Sequence, residues 1–388
     1  MTMWTSFAES AWSGMIYPLA FLFVLTVIVF VHELGHFLMA RWFGVGVKVF
    51  SIGFGPEIVG WNDRYGTRWR VAWIPLGGYV KFEGDENAAS VPSREALAGM
   101  SAAERETSFH AKPVGQRAAV VAAGPIANFL LSIAIFAGIF MAVGVRLTAA
   151  RVDEVVPGTP AARAGFQAGD IIRSIDGAPI ESFNDVLRIV STSPGRELAV
   201  AVDRAGQSVL LGVTPEIQEQ KDGFGGVLKR PLIGIKRVED PKTVETRRVG
   251  PLEAVWRGVR ETQFIITSTL GYLGDVVTRR QSADQLGGPI RIMDMSGKMA
   301  KNGLDDLIFF IGFISVGIGL INLFPIPLLD GGHLLFYAIE AIRGRPLSER
   351  SQEFGFRIGL SLVLLLMIFA SWNDVGHIVA QKWFPPGG

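Results

Sequence analysis

A His-Glu-Leu-Gly-His run occupies residues 32–36 and follows directly on an apolar stretch, residues 16–31, broken only by Tyr17, Pro18 and Thr26. On a helix, His32 and His36 are one turn apart on one face, so their imidazoles can grip a single zinc ion. Glu33 lies beside them, placed to take a proton from an attacking water. Ionisable groups at the end of a membrane-length apolar stretch are costly to keep there, and peptide-bond hydrolysis inside a bilayer would supply the reason. The competing explanation is a chance match, which the apolar context disfavours.

Two histidines leave a catalytic zinc short of ligands, because such a site needs a third plus an open position. His110 falls in a polar loop and His377 beyond the last apolar stretch. The run from Asn322 to His333 stands out instead, since Pro325 and Pro327 cannot both sit inside a helix without freeing backbone groups. Within a membrane such a break is tolerated only where the backbone is buried or lines a wet cavity. Asp330 in this broken stretch is the natural third ligand; His333, just after Gly331 and Gly332, is the competing donor.

The elements that must position these residues are mostly membrane spans. The chain has 388 residues, 49% of them hydrophobic and 19% charged, with a mean hydropathy of +0.34. That balance describes several spans plus water-exposed parts. Four stretches reach the length a bilayer crossing requires: residues 15–40, 118–145 (with Gly124, Pro125 and Asn128), 306 into Pro325, and 354–372. A net charge of +1 without a basic run argues against nucleic acid as a partner. The absence of cysteine excludes disulfides, Cys-ligated zinc and a cysteine nucleophile. No Lys or Arg precedes Arg41, so the first apolar segment lacks the basic leader of a cleaved signal peptide and is expected to be retained.

Charge orients the spans. The loop after the first carries Arg41, Lys48, Arg64, Arg68, Arg70, Lys81, Arg94, Arg105, Lys112 and Arg117, and the loop before the fourth carries Arg343, Arg345 and Arg350. Both tails are poor in positive charge, so both loops belong in the cytoplasm and both termini outside. The long segment between spans two and three then lies outside as well. Spans one and three run in the same direction, and His32, roughly 25 Å into its span at 1.5 Å per residue, and Asp330 reach a similar cytoplasmic-side depth.

The expected organisation is therefore a polytopic α-helical membrane protein of four transmembrane helices. It carries a membrane-associated β-hairpin or sheet region and one α/β PDZ-like domain outside. Residues 1–40 hold the first span and 41–117 the hairpin region and a loop, with 118–146 the second span. Residues 149–239 form the outer domain and 240–304 an amphipathic helical segment. The third span, with its broken motif, takes 305–340, and the fourth span and tail take 341–388. In the hairpin region, residues 47–52 and 69–74 alternate as strands do, with turns expected at Gly53-Phe54-Gly55-Pro56, residues 63–66 and Gly77-Gly78. An unpaired edge there could hold a substrate as an added strand, the alternative being an ordinary cytoplasmic hairpin. Leu252, Val255, Trp256, Val259 and Phe264 fit one helical face, lying along the outer leaflet or packing on the outer domain.

The outer domain resembles a PDZ domain of the bacterial protease type. The pattern is carried by Thr159-Pro160-Ala161-Ala162, Ala164-Gly165 and Gly169-Asp170-Ile171-Ile172. Such domains bind chain termini by strand addition, and the resemblance points to Leu232, Ile233, Gly234 and Ile235 as the carboxylate loop; the alternative is a domain that only obstructs.

The paired motifs, His32 to His36 and Asn322 to Gly332, resemble the site-2 protease family of intramembrane zinc metalloproteases over essentially the whole chain. The single PDZ-like domain, Ala123 to Asn128 and Gly53-Phe54-Gly55 are similar to its bacterial sigma-E-regulating branch, whose best-known members carry two PDZ domains in tandem. The resemblance implies Zn2+ held by His32, His36 and Asp330, with Glu33 as the base. It implies that Asn322 contacts the substrate backbone or oxyanion and that the hairpin at Gly53, Phe54 and Gly55 approaches the substrate. The implied partners are the lipid bilayer and single-span proteins first cut outside, such as anti-sigma factors or remnant signal peptides, at a bacterial inner membrane. A binding-only scaffold is disfavoured because every ligand and Glu33 are present. A zincin acting on soluble substrates would take its third ligand from a downstream Glu or His, and transport is disfavoured by the lack of an inverted repeat.

Overall fold

The computed structural model describes residues 3–84, 99–147, 150–221, 227–237, 245–279, 283 and 286–383. Among them, four helices are long and apolar enough to cross a membrane, at Gly14–Trp42, Val114–Ala142, Leu304–Asn322 and Glu349–Gly376. The chain is a multi-pass membrane protein. It divides into two compact units, the first made of Met1–Ala137, Val255–Ile266 and Gly287–Asp374, the second of the remainder.

The first unit is built on helices α1 (Met3–Trp42), α3 (Val114–Ala142) and α8 (Leu304–Asn322). Small residues let them approach closely, as membrane helices need when no hydrophobic force separates helix contact from lipid contact. A Cβ on Gly35 of α1 would strike the Ala123 carbonyl of α3 and lie 2.8 Å from Ala127 Cβ. A Cβ on Gly319 of α8 would lie 3.1 Å from the Pro125 carbonyl, and Ser315 Oγ donates to the Asn128 carbonyl at 2.9 Å. Val24, Ile28, Leu307, Phe310 and Ile311 form the buried cluster between α1 and α8.

After α1 the chain forms β1 (Val47–Asn62) and β2 (Arg68–Phe82), which pair antiparallel. Each is bent, so that residues 47–52 pair with residues 78–82 and also with residues 68–71, and the latter pair again with residues 59–62. The bends fall at Gly53 and Gly55 (φ 88° and 89°) and at Gly77 (φ 127°), where left-handed backbone favours glycine. Two of the expected turns are thus kinks within continuous strands; the turn that reverses the chain is the one at residues 63–66. Phe54, Ile58, Val59, Trp61, Trp73, Ile74 and Leu76 are exposed, an apolar surface suited to lipid or to an apolar chain.

Of the polar stretch that follows, residues 85–98 lie outside the described residues. Ala102–Thr107 forms α2 behind a Ser101–Glu104 capping box. The expected third span stops at Asn322, earlier than Pro325, because the two prolines cannot continue the ladder. The chain resumes as α9 (Asp330–Arg343), with Arg117 of α3 donating to Glu340 at 2.5 Å and lying 4.8 Å over the Tyr337 ring. Helix α10 (Glu349–Trp383) then crosses back.

Helix α7 (Pro289–Asn302) packs along α1, and a Cβ on Gly297 would run into the Tyr17 ring. Its start at Gly288-Pro289 is capped from α10, where Asp374 accepts from the Gly288 and Arg291 N–H groups at 2.9 and 3.0 Å. Helix α6 (Pro251–Val277) buries Glu261, Thr262 and Ile265 and exposes Leu252, Val255 and Trp256.

The second unit holds a mixed α/β domain. Its four-stranded sheet runs β6 (Ala178–Pro179), β5 (Ile171–Ile175), β7 (Leu198–Arg204), β8 (Gln207–Val213). Helices α4 (Pro160–Ala164) and α5 (Phe183–Ser191) accompany it, and Val152, Phe166, Ile172, Val186, Leu198, Val202 and Ile233 lie in its core. The short strands β4 (Glu154–Val155) and β11 (Ile235–Lys236) pair, as do β9 (Glu216–Lys221) with β10 (Val227–Leu232) and β3 (Val145–Leu147) with β12 (Glu245–Arg247). Asp170 supplies the rigid corner of the glycine-aspartate motif. It accepts from Arg204 Nε and Nη2, both at 2.8 Å, and from the Gln167 N–H at 2.9 Å.

Candidate active site

His32 and His36 share the face of α1 turned to α3. Their Nε2 atoms lie 3.2 Å apart. Asp330, the first residue of α9, brings Oδ2 to 3.1 Å from His32 Nε2 and 3.5 Å from His36 Nε2. Among the described residues these three form the group able to hold a metal ion. His333, the competing donor, turns away, with its ring 5.3 Å from Phe356 and 6.5 Å from Tyr337.

The donor set fits zinc. His36 Nδ1–H donates to the Val120 carbonyl at 2.9 Å, which leaves Nε2 carrying a lone pair toward the other two ligands. Asp330 Oδ2 is buried with no hydrogen-bond donor, despite its closeness to both rings. Lone pairs converging on one point are repulsive unless a cation occupies it, and two imidazoles with one carboxylate are a catalytic zinc set.

The seven residues before Asp330 explain how it gets there. Past Asn322 the chain makes tight turns, with the Ile326 N–H donating to the Phe324 carbonyl at 2.7 Å and the Leu329 N–H to the Ile326 carbonyl at 3.0 Å. Leu328 takes φ 105°, a conformation that side chains rarely adopt. Gly331 and Gly332 are then required by packing, since a Cβ on Gly331 would fall 2.5 Å from the Leu323 carbonyl carbon and one on Gly332 2.5 Å from Pro327 Cα.

Glu33 is half-buried beside the histidines and faces β2. It accepts from the Val80 N–H, and a Cβ on Gly78 would lie 3.2 Å from Glu33 Cγ. Residues 78–82 pair with residues 47–52, so the strand nearest Glu33 is this segment. Gly53, Phe54 and Gly55 sit at the adjoining bend, the Phe54 ring stacked 6.1 Å from Tyr79. Asn322 ends α8, and its Nδ2 donates to the Ile318 carbonyl at 3.0 Å, which uses one of two amide hydrogens.

Leu232, Ile233, Gly234 and Ile235 belong to the second unit. Ile233 is a core residue, and its carbonyl accepts from the Ala161 N–H at 2.7 Å. The Gly234 carbonyl accepts from the Val156 N–H at 2.9 Å, and Ile235 pairs with Val155.

Three features escaped the sequence. The Val120 carbonyl is main chain and has no residue signature. Gly124 and Asn128 stand out as a helix breaker and a polar residue in a span, but their partners depend on how α1 crosses α3. A Cβ on Gly124 would strike His36 Nε2 and lie 2.9 Å from His32 Cε1. Asn128 Nδ2 lies 3.2 Å from His32 Nδ1.

The family described as peptidase family M50 matches residues 20–366. A relative from Rhizobium meliloti, named as a zinc metalloprotease, is 48% identical over 358 residues, 92% of this chain and 96% of its own. One from Agrobacterium fabrum, named likewise, is 48% identical over 365 residues, 94% of this chain and 96% of its own. Metalloprotease MmpA of Caulobacter vibrioides is 41% identical over 384 residues, covering 93% and 96%. The solved PDZ domain of an SdrC-like protein from Listeria monocytogenes is similar at 22% identity and a TM-score of 0.19, covering 24% of this chain and 87% of that one.

Proposed function

The chain belongs to peptidase family M50, and from that premise we propose that this zinc metalloprotease cuts peptide bonds within membrane-spanning helices. Its substrates are single-span proteins already trimmed outside, such as anti-sigma factors or remnant signal peptides. The observation that carries the proposal is the convergence of His32 and His36, inside the apolar helix Gly14–Trp42, with Asp330, just beyond the apolar helix Leu304–Asn322.

When bound to these ligands, zinc supplies a Lewis acid that acidifies water and polarises a carbonyl. Glu33 takes the proton from the attacking water and returns it to the leaving nitrogen. Asn322 turns its remaining amide hydrogen to the oxyanion. A helical substrate hides its carbonyls in its own hydrogen bonds and must unwind first. The edge at residues 78–82, continued by the bend at Gly53, Phe54 and Gly55, receives the unwound strand.

The domain between spans two and three acts by excluding untrimmed substrates, with Leu232 to Ile235 available to a chain terminus as a second role. Its separation in sequence from both metal motifs supports a gating task over a catalytic one. The charge distribution supports an inner-membrane protein with termini and PDZ-like domain in the periplasm.

The test is incubation of the purified protein with single-span substrates, trimmed and untrimmed, with and without chelator. Cleavage inside the span of the trimmed form, lost with chelator and in Asp330→Ala, is the expected result. Cutting confined to soluble segments would overturn the intramembrane assignment.

A further inference from the structure

Asn128 lies fully buried on α3, its Nδ2 3.2 Å from His32 Nδ1 and its Oδ1 buried with no hydrogen-bond partner. The two ends of a carboxamide have nearly the same shape, so a half-turn about the last side-chain bond exchanges them without steric change. The exchange matters to His32. With Nδ2 toward the ring, Nδ1 must accept, the imidazole proton sits on Nε2, and the atom facing Asp330 and His36 cannot ligate. With Oδ1 toward the ring, Nδ1–H donates and Nε2 bears its lone pair, while Nδ2 takes the place that Oδ1 holds; the difference between the two orientations therefore lies in the His32 tautomer. His36 already has the second arrangement through the Val120 carbonyl.

We propose that Asn128 is a positioning residue that presents Oδ1 to His32 Nδ1–H and so holds His32 in the tautomer that binds zinc. Histidine ligands need such an acceptor on the far nitrogen, and removing it costs about 10–100-fold in metal affinity. Its own backbone is fixed for the task, since Ser315 Oγ of α8 donates to the Asn128 carbonyl at 2.9 Å. A Cβ on Gly319 would lie 3.1 Å from Asn128 Cβ, so the third apolar helix packs directly against the asparagine. The residue therefore links the histidine helix to the helix that leads to Asp330.

This role rests on the ligand set proposed above, and zinc affinity of the purified full-length protein, measured by competition with a chromophoric chelator, separates the two. Asn128→Asp keeps the shape and an acceptor but has no amide donor; Asn128→Leu keeps the approximate shape and has neither. The expected result is zinc affinity within a few-fold of wild type for the aspartate and a loss of about 10–100-fold for the leucine. Equal losses in both variants, or no loss in the leucine, would overturn the role of Asn128 while leaving the ligand set intact. A wild-type protein that binds no zinc would overturn both. Should the leucine variant fail to fold, the ring 15N signals of His32 in zinc-free wild type decide: a neutral ring protonated at Nδ1 supports the role, and one protonated at Nε2 overturns it.

Discussion

Gly124 and His36 meet where α1 crosses α3, and a single added carbon at Gly124 would occupy the space of His36 Nε2. Neither residue can give way cheaply. The ring is held from behind by the Val120 carbonyl at 2.9 Å, and the glycine lies on a helix packed against both α1 and α8. Gly124→Ala should therefore weaken zinc binding by an order of magnitude or more, roughly the effect of disturbing a ligand's support. Metal content by mass spectrometry after dialysis against a weak chelator checks this, and full occupancy would show that the rings can move aside.

Glu33→Gln should keep zinc and the fold but stop cleavage, because an amide cannot accept the proton. The Val80 N–H that the carboxylate now accepts from can be accepted by the amide oxygen, so the strand edge should stay in place. Turnover and zinc content measured on one preparation separate the two effects. Wild-type turnover in this variant would remove Glu33 as the base.

Phe54→Pro should lower turnover about tenfold without changing zinc content, a loss of about 1.4 kcal/mol in transition-state stabilisation. Proline removes the N–H at the bend where Phe54 pairs with Ile74, while its missing ring abandons Tyr79. The defect should be largest for substrates whose spanning helix unwinds readily, since strand pairing then contributes most of the recognition. Unchanged turnover across such a series would make the bend structural only.

The mixed α/β domain of the second unit should lose stability in acid through Asp170. Burial alone would raise this carboxyl, but the paired hydrogen bonds from Arg204, the Gln167 N–H and the guanidinium charge outweigh it and hold it below the ordinary carboxylate value. A depressed folded-state value means stability that is complete above the unfolded value near pH 4 and is lost as pH falls through the folded one. Asp170→Asn should cost the domain about 2–4 kcal/mol at neutral pH and flatten that acid response. Thermal unfolding followed by circular dichroism from pH 7 down through the ordinary carboxylate range to about pH 2 distinguishes the variant from wild type.

The site was legible in the sequence where chemistry follows from local spacing. The i, i+4 histidines declare a shared face, and two prolines flanking Ile326 declare a broken helix with Asp330 beyond it. What could not be read there is set by crossing geometry. That α3 supplies the Val120 carbonyl and the Asn128 amide depends on the close approach allowed by Gly35 and Gly124, which no single segment reveals. That Asp330 rather than His333 lies beside the two histidines likewise follows from the way the turns after Asn322 aim the start of α9, leaving His333 among aromatic rings. In the hairpin region, Gly53, Gly55 and Gly77 were recognisable as places where the chain bends. Whether it bends within a strand or leaves it depended on residues 68–71 pairing on two sides, a long-range event.

The two histidines are not equally protected against mutation. His36 leans on a main-chain carbonyl, an acceptor that every amino acid at position 120 supplies alike. A survey of substitutions there would score packing and miss the hydrogen bond altogether. Substituting the fully buried Val120 side chain would therefore act through packing, whereas the bond itself fails only if α3 slides or rotates. Helix placement, more than residue identity, is what guards that half of the metal centre.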